Sequence, residues 1–291
     1  MIKSMTGYGL AVNDTADAKY TVEIKSLNSK FLELSLKLPK SFSDKELFLR
    51  NECSKQAERG KVTVTVTIEY PEGNVKAASI NQHLLKTYYS QLKAAAEDLG
   101  DKADNLLALA VNLPEVIQYD EGTVSEEEWR QLLTAFNNAM AAFQAFRQDE
   151  GQILEKDLSL RINNILAFLK QVETLDPERL PAIRERLRQL LDEHVGKESV
   201  DQNRFEQELI FYIDKLDITE EKVRLKSHCD YFLKTLDSAE ANGKKLAFIS
   251  QEIGREINTM GSKANDAAIQ QVVVGMKEEL EKIKEQLLNV I

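Results

Sequence analysis

The chain has little of what interrupts helices or cross-links them. Its 291 residues include 12 Gly and 5 Pro, so long helices with few breaks are expected. Its 2 Cys, Cys53 and Cys229, stand far apart in sequence. That spacing fits neither a disulfide framework nor a thiolate metal cluster and leaves two reduced thiols. No run of about 18 apolar residues occurs, so no transmembrane helix is expected. The opening Met1-Ile2-Lys3-Ser4-Met5-Thr6-Gly7-Tyr8-Gly9 lacks the apolar stretch of a secretory signal. Walker, GxGxxG, HExxH and GxSxG patterns are all missing, and Gly7-Tyr8-Gly9 is not a phosphate loop. Enzymes built on a nucleotide cofactor or a hydrolase triad are thereby disfavoured.

A basic excess is missing too. Lys plus Arg number 38 against 48 Asp plus Glu, a formal charge of −10. Phosphate-rich partners want a basic footprint, so this balance argues against general nucleic-acid or membrane-surface binding if it is evenly spread. It is not. Residues 1–73 hold 11 Lys plus Arg against 10 Asp plus Glu, and the remainder hold 27 against 38. The first part is neutral and the rest carries the acid, so a phosphate-rich partner would have to enter through a local basic lining. Hydrophobic residues at 43 % and charged residues at 30 % are globular composition.

What is present reads as an α+β fold. Tyr20, Val22 and Ile24 alternate with Thr21, Glu23 and Lys25, the period of a half-buried strand. Leu32, Leu34, Leu36 and Leu38 alternate until Pro39, and Val62, Val64, Val66 and Ile68 alternate with threonines. A first strand is expected within residues 2–12. Between the third and fourth strands, Ser43 with Glu46 reads as a capping box for a helix. That helix would turn Leu47, Cys53 and Ala57 inward and stop at Gly60. Strand signals then vanish. Helices are expected over 79–99, 125–147, 150–174, 178–194, 201–215, 219–241, 244–262 and 265–289, with Ser125 and Glu128 capping the second and Asp176-Pro177 breaking the run. Residues 99–123 are the least helical and read as an insertion. The division expected is a small sheet-and-helix domain over 1–155, a helical connector over 156–204 and a helical C-terminal domain over 205–291.

Two helical faces carry polar residues worth chemistry. Glu252, Arg255, Glu256, Thr259 and Lys263 share one face of a helix whose apolar stripe is Ile249, Ile253, Ile257 and Met260. The same helix contains Gly254, Asn258, Thr259 and Gly261, all weak helix formers, which close approach by a ligand or a partner backbone would justify. Glu220 or Glu221, Arg224 and His228 share a face of the preceding helix. The short Ala241-Asn242-Gly243 turn would make the two helices antiparallel neighbours, with Asp266 able to add a carboxylate. Carboxylates and a histidine on adjacent helices suit a hard metal or acid–base chemistry. A solvated charged face is the plainer alternative. In the sheet region, Lys25, Asn28, Lys30, Arg59 and Lys61 cluster at strand ends, where basic and amide groups hold phosphates or simply make turns. Val273, Met276, Leu280, Ile283, Leu287 and Val290 form a short heptad seam. It is expected to pack within the chain, with subunit contact as the alternative.

These residues resemble a known family. Met5-Thr6-Gly7-Tyr8-Gly9, Ser26-Leu27-Asn28-Ser29-Lys30-Phe31-Leu32-Glu33 and Arg59-Gly60-Lys61 resemble the N-terminal half of the bacterial YicC/YloC family. Asp217-Ile218-Thr219-Glu220-Glu221 with Arg224 and His228 is similar to the start of its C-terminal region. Phe248-Ile249-Ser250-Gln251-Glu252 through Arg255-Glu256-Ile257-Asn258-Thr259 to Ser262-Lys263 is similar to its signature helix. Lys30 stands where the family commonly has arginine, and Gly254 where it has a larger residue. The resemblance implies a cytoplasmic, divalent-metal-dependent endoribonuclease, using Mn²⁺ or Mg²⁺, that assembles as a homo-hexamer and acts in small-RNA turnover. On that expectation Glu221, Glu252 and Glu256 hold the metal and His228 is the general acid or base. Arg224, Arg255 and Lys263 stabilise transition-state charge beside Glu252 and Glu256, while Lys25, Asn28, Lys30, Arg59 and Lys61 hold the flanking RNA. The rival expectations are an adaptor that delivers RNA to another nuclease, and a structural oligomer whose Glu252, Arg255 and Glu256 bridge subunits.

Overall fold

The computed structural model describes residues 2–57, 59–71, 79–100, 105–118, 124–194, 202–238 and 243–291. Four strands form the N-terminal sheet: β1 (Gly7–Asp14), β2 (Lys19–Leu27), β3 (Leu32–Lys37) and β4 (Gly60–Glu69). Their order is β1-β2-β4-β3, antiparallel except for the β3–β4 pair. The alternation seen in the sequence sets which face is covered. Tyr20, Val22 and Ile24 of β2 and Val62, Val64 and Val66 of β4 are buried. Their odd or even neighbours Thr21, Glu23, Lys25, Thr63 and Thr65 form the other face.

The helix between β3 and β4 is α1 (Glu46–Gln56), preceded by a 3₁₀ turn at Lys40–Lys45. The expected capping box does not form. Ser43 donates to the Lys40 carbonyl, and the helix starts at Glu46 with no side-chain cap, because buried Phe42 holds the preceding turn tight. Leu49, Cys53 and Ala57 point into the core, whereas Leu47 is exposed. Between β4 and the long helix, β5 (Ser79–Ile80), α2 (Gln82–Leu99), α3 (Leu106–Val111) and β6 (Ile117–Gln118) form a small separate unit. The expected insertion over 99–123 thus contains a helix, and Asn81 caps α2 by accepting from the Leu84 N–H.

One helix, α4 (Glu126–His194, 69 residues), replaces three expected ones. Ser125 and Glu128 make the anticipated reciprocal cap, at 3.1 and 2.9 Å. Pro177 and Pro181 lie inside the helix without ending it. A helix of this length spans about 100 Å, and α4 serves two cores in turn. Leu132, Phe136, Met140 and Phe143 cover the sheet, with Tyr20, Val22, Ile24, Leu49 and Val64. Leu158, Ile162, Ile165, Leu169 and Val172 join the helical core. Gly151 sits between these stretches, where a Cβ would lie 2.1 Å from the Ile2 carbonyl oxygen, so only glycine lets the N-terminal segment pass. That segment is not part of β1. It runs beside the C-terminus, with a Ser4–Val290 bridge, Met5 N–H donating to Asn289 at 2.8 Å and Ile291 N–H to Lys3 at 3.0 Å.

The remaining helices are α5 (Gln202–Leu216), α6 (Thr219–Leu236), α7 (Gly243–Ala264) and α8 (Ala267–Leu287). Ala241 and Asn242 of the expected turn lie outside the described residues. The heptad residues Val273, Met276, Leu280, Ile283 and Leu287 are all buried in the chain's own helical core, at roughly 1.5–3 kcal/mol per large apolar side chain. Cys53 and Cys229 are both buried and free. Burial pushes their thiols up to about 11 and about 12, which makes them inert at neutral pH. No described helix is long and apolar enough to cross a membrane.

Candidate active site on the α6–α7 face

Helices α6 and α7 pack through Leu225, Cys229 and Phe232 against Ile249, Ile253, Ile257 and Met260. At the start of α6, Asp217 accepts from both the N–H and the hydroxyl of Thr219, at 2.9 and 2.7 Å, and those bonds lower its carboxyl below the usual range. This fixes the first turn that presents Glu220 and Glu221. Glu221 is 5 % exposed and accepts from Lys263 at the end of α7, with Nζ to Oε1 at 2.8 Å. The start of one helix meeting the end of the other makes them antiparallel, as expected. The hydrogen bond to Glu221 raises the Lys263 ammonium above its ordinary value, so it remains charged throughout the neutral range. The second carboxylate oxygen of Glu221, Oε2, is buried without a hydrogen-bond partner.

From this anchor the levels of the other residues follow. Glu256 and Glu252 precede Lys263 by seven and eleven residues, about 10 and 16 Å of helical rise. His228 follows Glu221 by seven, which puts it at the level of Glu256 across the antiparallel pair. Glu256 is 5 % exposed, and no hydrogen bond or ion pair satisfies it among the described residues. His228 and Glu252 are half-buried and Arg255 is exposed. Arg224 is turned to solvent in an ion pair with Glu220 of its own helix. Of the expected catalytic set, direct contact therefore joins Glu221 and Lys263, while His228 and Glu256 share a level without bonding.

Among the described residues no group of three His, Cys, Asp or Glu side chains converges to hold a metal ion. The axial spacing explains why: Glu221, Glu252 and Glu256 are spread over too much helix for a shell whose bonds are near 2.1 Å. Asp266 adds no ligand either. It caps α8, accepting from the Ile269 N–H at 2.9 Å. Two of the four weak helix formers of α7, Gly254 and Gly261, answer to packing. A Cβ on Gly254 would lie 3.0 Å from Leu280, and one on Gly261 3.0 Å from Val273, so both glycines let α8 close on α7.

The sequence reading missed the group that holds the site together. Arg179, 4 % exposed, donates to Asp176 at 2.9 Å, to the Ala264 carbonyl at the end of α7 at 3.1 Å and to the Leu216 carbonyl at the end of α5 at 2.8 Å. Lys222, beside Glu221, donates to the other oxygen of Asp176 at 2.6 Å. Burial by itself would raise the Asp176 carboxyl, but the bonds from Lys222 and Arg179 override it and hold it low. The opposite charges three residues apart were the available signal, obscured by Pro177 between them. In the sheet region, Asn28 and Arg59 are committed to structure. Asn28 donates to the Leu288 carbonyl at 2.9 Å and Arg59 to the Ser29 carbonyl at 3.0 Å. Lys25, Lys30 and Lys61 stay exposed.

Residues 2–156 match the N-terminal region of endoribonuclease YicC-like proteins, and residues 172–291 match the C-terminal region. The chain belongs to the YicC-like endoribonuclease family. It is 30 % identical to a protein of Clostridioides difficile over 293 residues, covering 100 % of both chains. It is 31 % identical to one of Haemophilus influenzae over 297 residues, covering 99 % of both. Each of these relatives is named a probable endoribonuclease YicC. The YicC-like C-terminal match contains the whole of α6 and α7, and so the Glu221–Lys263 pair and the His228–Glu256 level.

Proposed function

We propose that this chain is an endoribonuclease that cuts RNA phosphodiester bonds at the α6–α7 face. Family membership along the whole chain and the names of both relatives support the activity. The observation that carries the location is buried Glu221, paired with half-buried Lys263 and keeping one carboxylate oxygen unpartnered. Burying a carboxylate that is incompletely hydrogen-bonded costs stability, and such costs concentrate where function demands them. Glu221 holds Lys263 charged and in place. Lys263 and exposed Arg255 neutralise the scissile phosphate as charge builds on it. His228 is the acid–base residue, with Glu256 and Glu252 the carboxylates nearest its level on the facing helix. Arg224, tied to Glu220, lies at the rim.

Among the described residues, no three carboxylate or histidine side chains of one chain converge on a metal position. Dependence on Mn²⁺ or Mg²⁺, assembly as a hexamer, a cytoplasmic setting and a role in small-RNA turnover remain parts of the proposal that the family resemblance supports. The test is cleavage of end-labelled RNA by highly purified protein, with and without EDTA and added Mn²⁺, and with mass measured by light scattering. Internal cuts that copurify with the protein support the reading, and loss in EDTA with return in Mn²⁺ supports its metal component. RNA binding without cleavage in any metal overturns it in favour of an adaptor.

A further inference from the structure

The covered face of the N-terminal sheet lies against α1 and α4, and the other face is open. Across it, the register places Tyr8, Lys25, Thr63 and Ser35 in one row, and Leu27, Lys61 and Glu33 in the next. Rows two residues apart are about 7 Å apart. The open face carries Leu10 and Val12 on β1, and it ends at the β2–β3 connection, where Phe31 is 68 % exposed. Tyr8 is 37 % exposed. Each aromatic ring carries a lysine: Lys25 Nζ lies 5.7 Å from the Tyr8 ring centre and Lys30 Nζ 5.5 Å from that of Phe31. Lys30 and Lys61 make no ion pair among the described residues. Glu23, the carboxylate nearest Tyr8, is already engaged by Lys25 at 2.7 Å and the Tyr8 hydroxyl at 3.3 Å, so its charge is locally compensated. Glu33 accepts from Ser29 at 3.0 Å.

Two solvent-facing aromatics, each flanked by a cation, with a further free lysine on the adjoining row, suit a chain that has flat bases and phosphates in alternation. Paired RNA hides its base faces, whereas a single strand offers them. We infer that this end of the open sheet face is a platform for single-stranded RNA, on which bases stack against Tyr8 and Phe31 while Lys25, Lys30 and Lys61 take phosphates. The inference rests on the endoribonuclease reading and names the form of substrate that reading leaves open. Asn28 and Arg59 build the platform without touching RNA. Arg59 fixes the Ser29 carbonyl, and Asn28 ties the same connection to the end of α8. Phe31 thus sits on a loop fastened to the helical region that holds the candidate active site, while Tyr8 stands on β1.

The experiment is fluorescence anisotropy with labelled 2′-O-methyl RNA of about 12 nucleotides, single-stranded or duplex, on the full-length protein. Tyr8→Leu and Phe31→Leu keep apolar bulk and remove the stacking ring. Each weakens single-strand binding about 5- to 100-fold with an unchanged melting temperature, while duplex binding moves little. Lys61→Ala lowers the salt slope by about 0.7. Should Tyr8→Leu disturb the strand, Phe31→Leu in the connection still decides. Wild-type affinity in both leucine variants, from a protein that cuts RNA, overturns the platform and leaves the activity standing. A change of mass in light scattering with unchanged RNA affinity also overturns it, since the face then joins copies of the chain. Wild-type protein that neither binds nor cuts RNA removes the endoribonuclease reading itself.

Discussion

At the residue scale, the chain's buried charges divide into those that are satisfied and those that are not. Asp176, Arg179 and Glu279 are fully engaged: Glu279 is held by Arg161, Asn164 and Lys282 at 3.3, 3.0 and 2.7 Å, bonds that override the upward push of burial and lower its carboxyl. Glu221 is buried with one carboxylate oxygen left without a partner. The engaged carboxylates give a pH dependence of definite sign. Asp176 has a lowered folded value, so its contribution to stability is complete above the ordinary carboxylate range near 3.9 and is lost as pH falls through the folded value. Asp176→Asn should melt well below wild type at about pH 6, and the gap should narrow towards about pH 3. A gap that is constant with pH contradicts the assignment. Helical spacing could pick out candidate site residues in the sequence, but not their pairing. Spacing along one helix says which side chains share a face, while the Glu221–Lys263 contact depends on how far one helix slides along another. Asn28, Arg59 and Asp266 look like ligands in sequence because amide, guanidinium and carboxylate groups serve backbone carbonyls and N–H groups equally well.

At the element scale, strands were the most legible part. Alternation in β2, β3 and β4 is a local consequence of burying one face, and the structure follows it within one or two residues. Helix ends were less legible. The Ser125 cap formed because its partner Glu128 lay within reach, while the Ser43 pattern was overridden by burial of Phe42. Pro177 and Pro181 fail to break α4 because each removes one backbone hydrogen bond, while the apolar stripe up to Val172 and the Arg179 anchor keep the flanking turns docked. The switch of α4 from one core to the other depends on Gly151. A methyl group there meets the Ile2 carbonyl oxygen, so Gly151→Ala forces the N-terminal segment away and should cost about 1–3 kcal/mol in urea denaturation. Alanine is the better helix former, so unchanged or increased stability would show that the segment does not pass there.

At the scale of the whole molecule, a net charge of −10 and an RNA substrate are compatible because charge is partitioned. The neutral sheet region offers Lys25, Lys30 and Lys61 on an open face, and the acid lies in the helical remainder, part of it buried against Lys263, Arg161 and Arg179. The chain ends bind the two regions, since residues 3–5 pair with residues 289–291 and Asn28 holds the end of α8. RNA on the proposed platform would therefore lie on a sheet tied by these contacts to the region that carries the α6–α7 face. In the proposed function cleavage occurs at that face, with Lys263 stabilising the charge that develops on phosphate. The direct measurement is the single-turnover cleavage rate of labelled RNA by Lys263→Met beside wild type, with RNA affinity measured on the same preparations. The Lys263→Met rate is expected to be lower by on the order of 10²–10³, with affinity changed only severalfold. Cleavage at the wild-type rate by a folded Lys263→Met protein would contradict it.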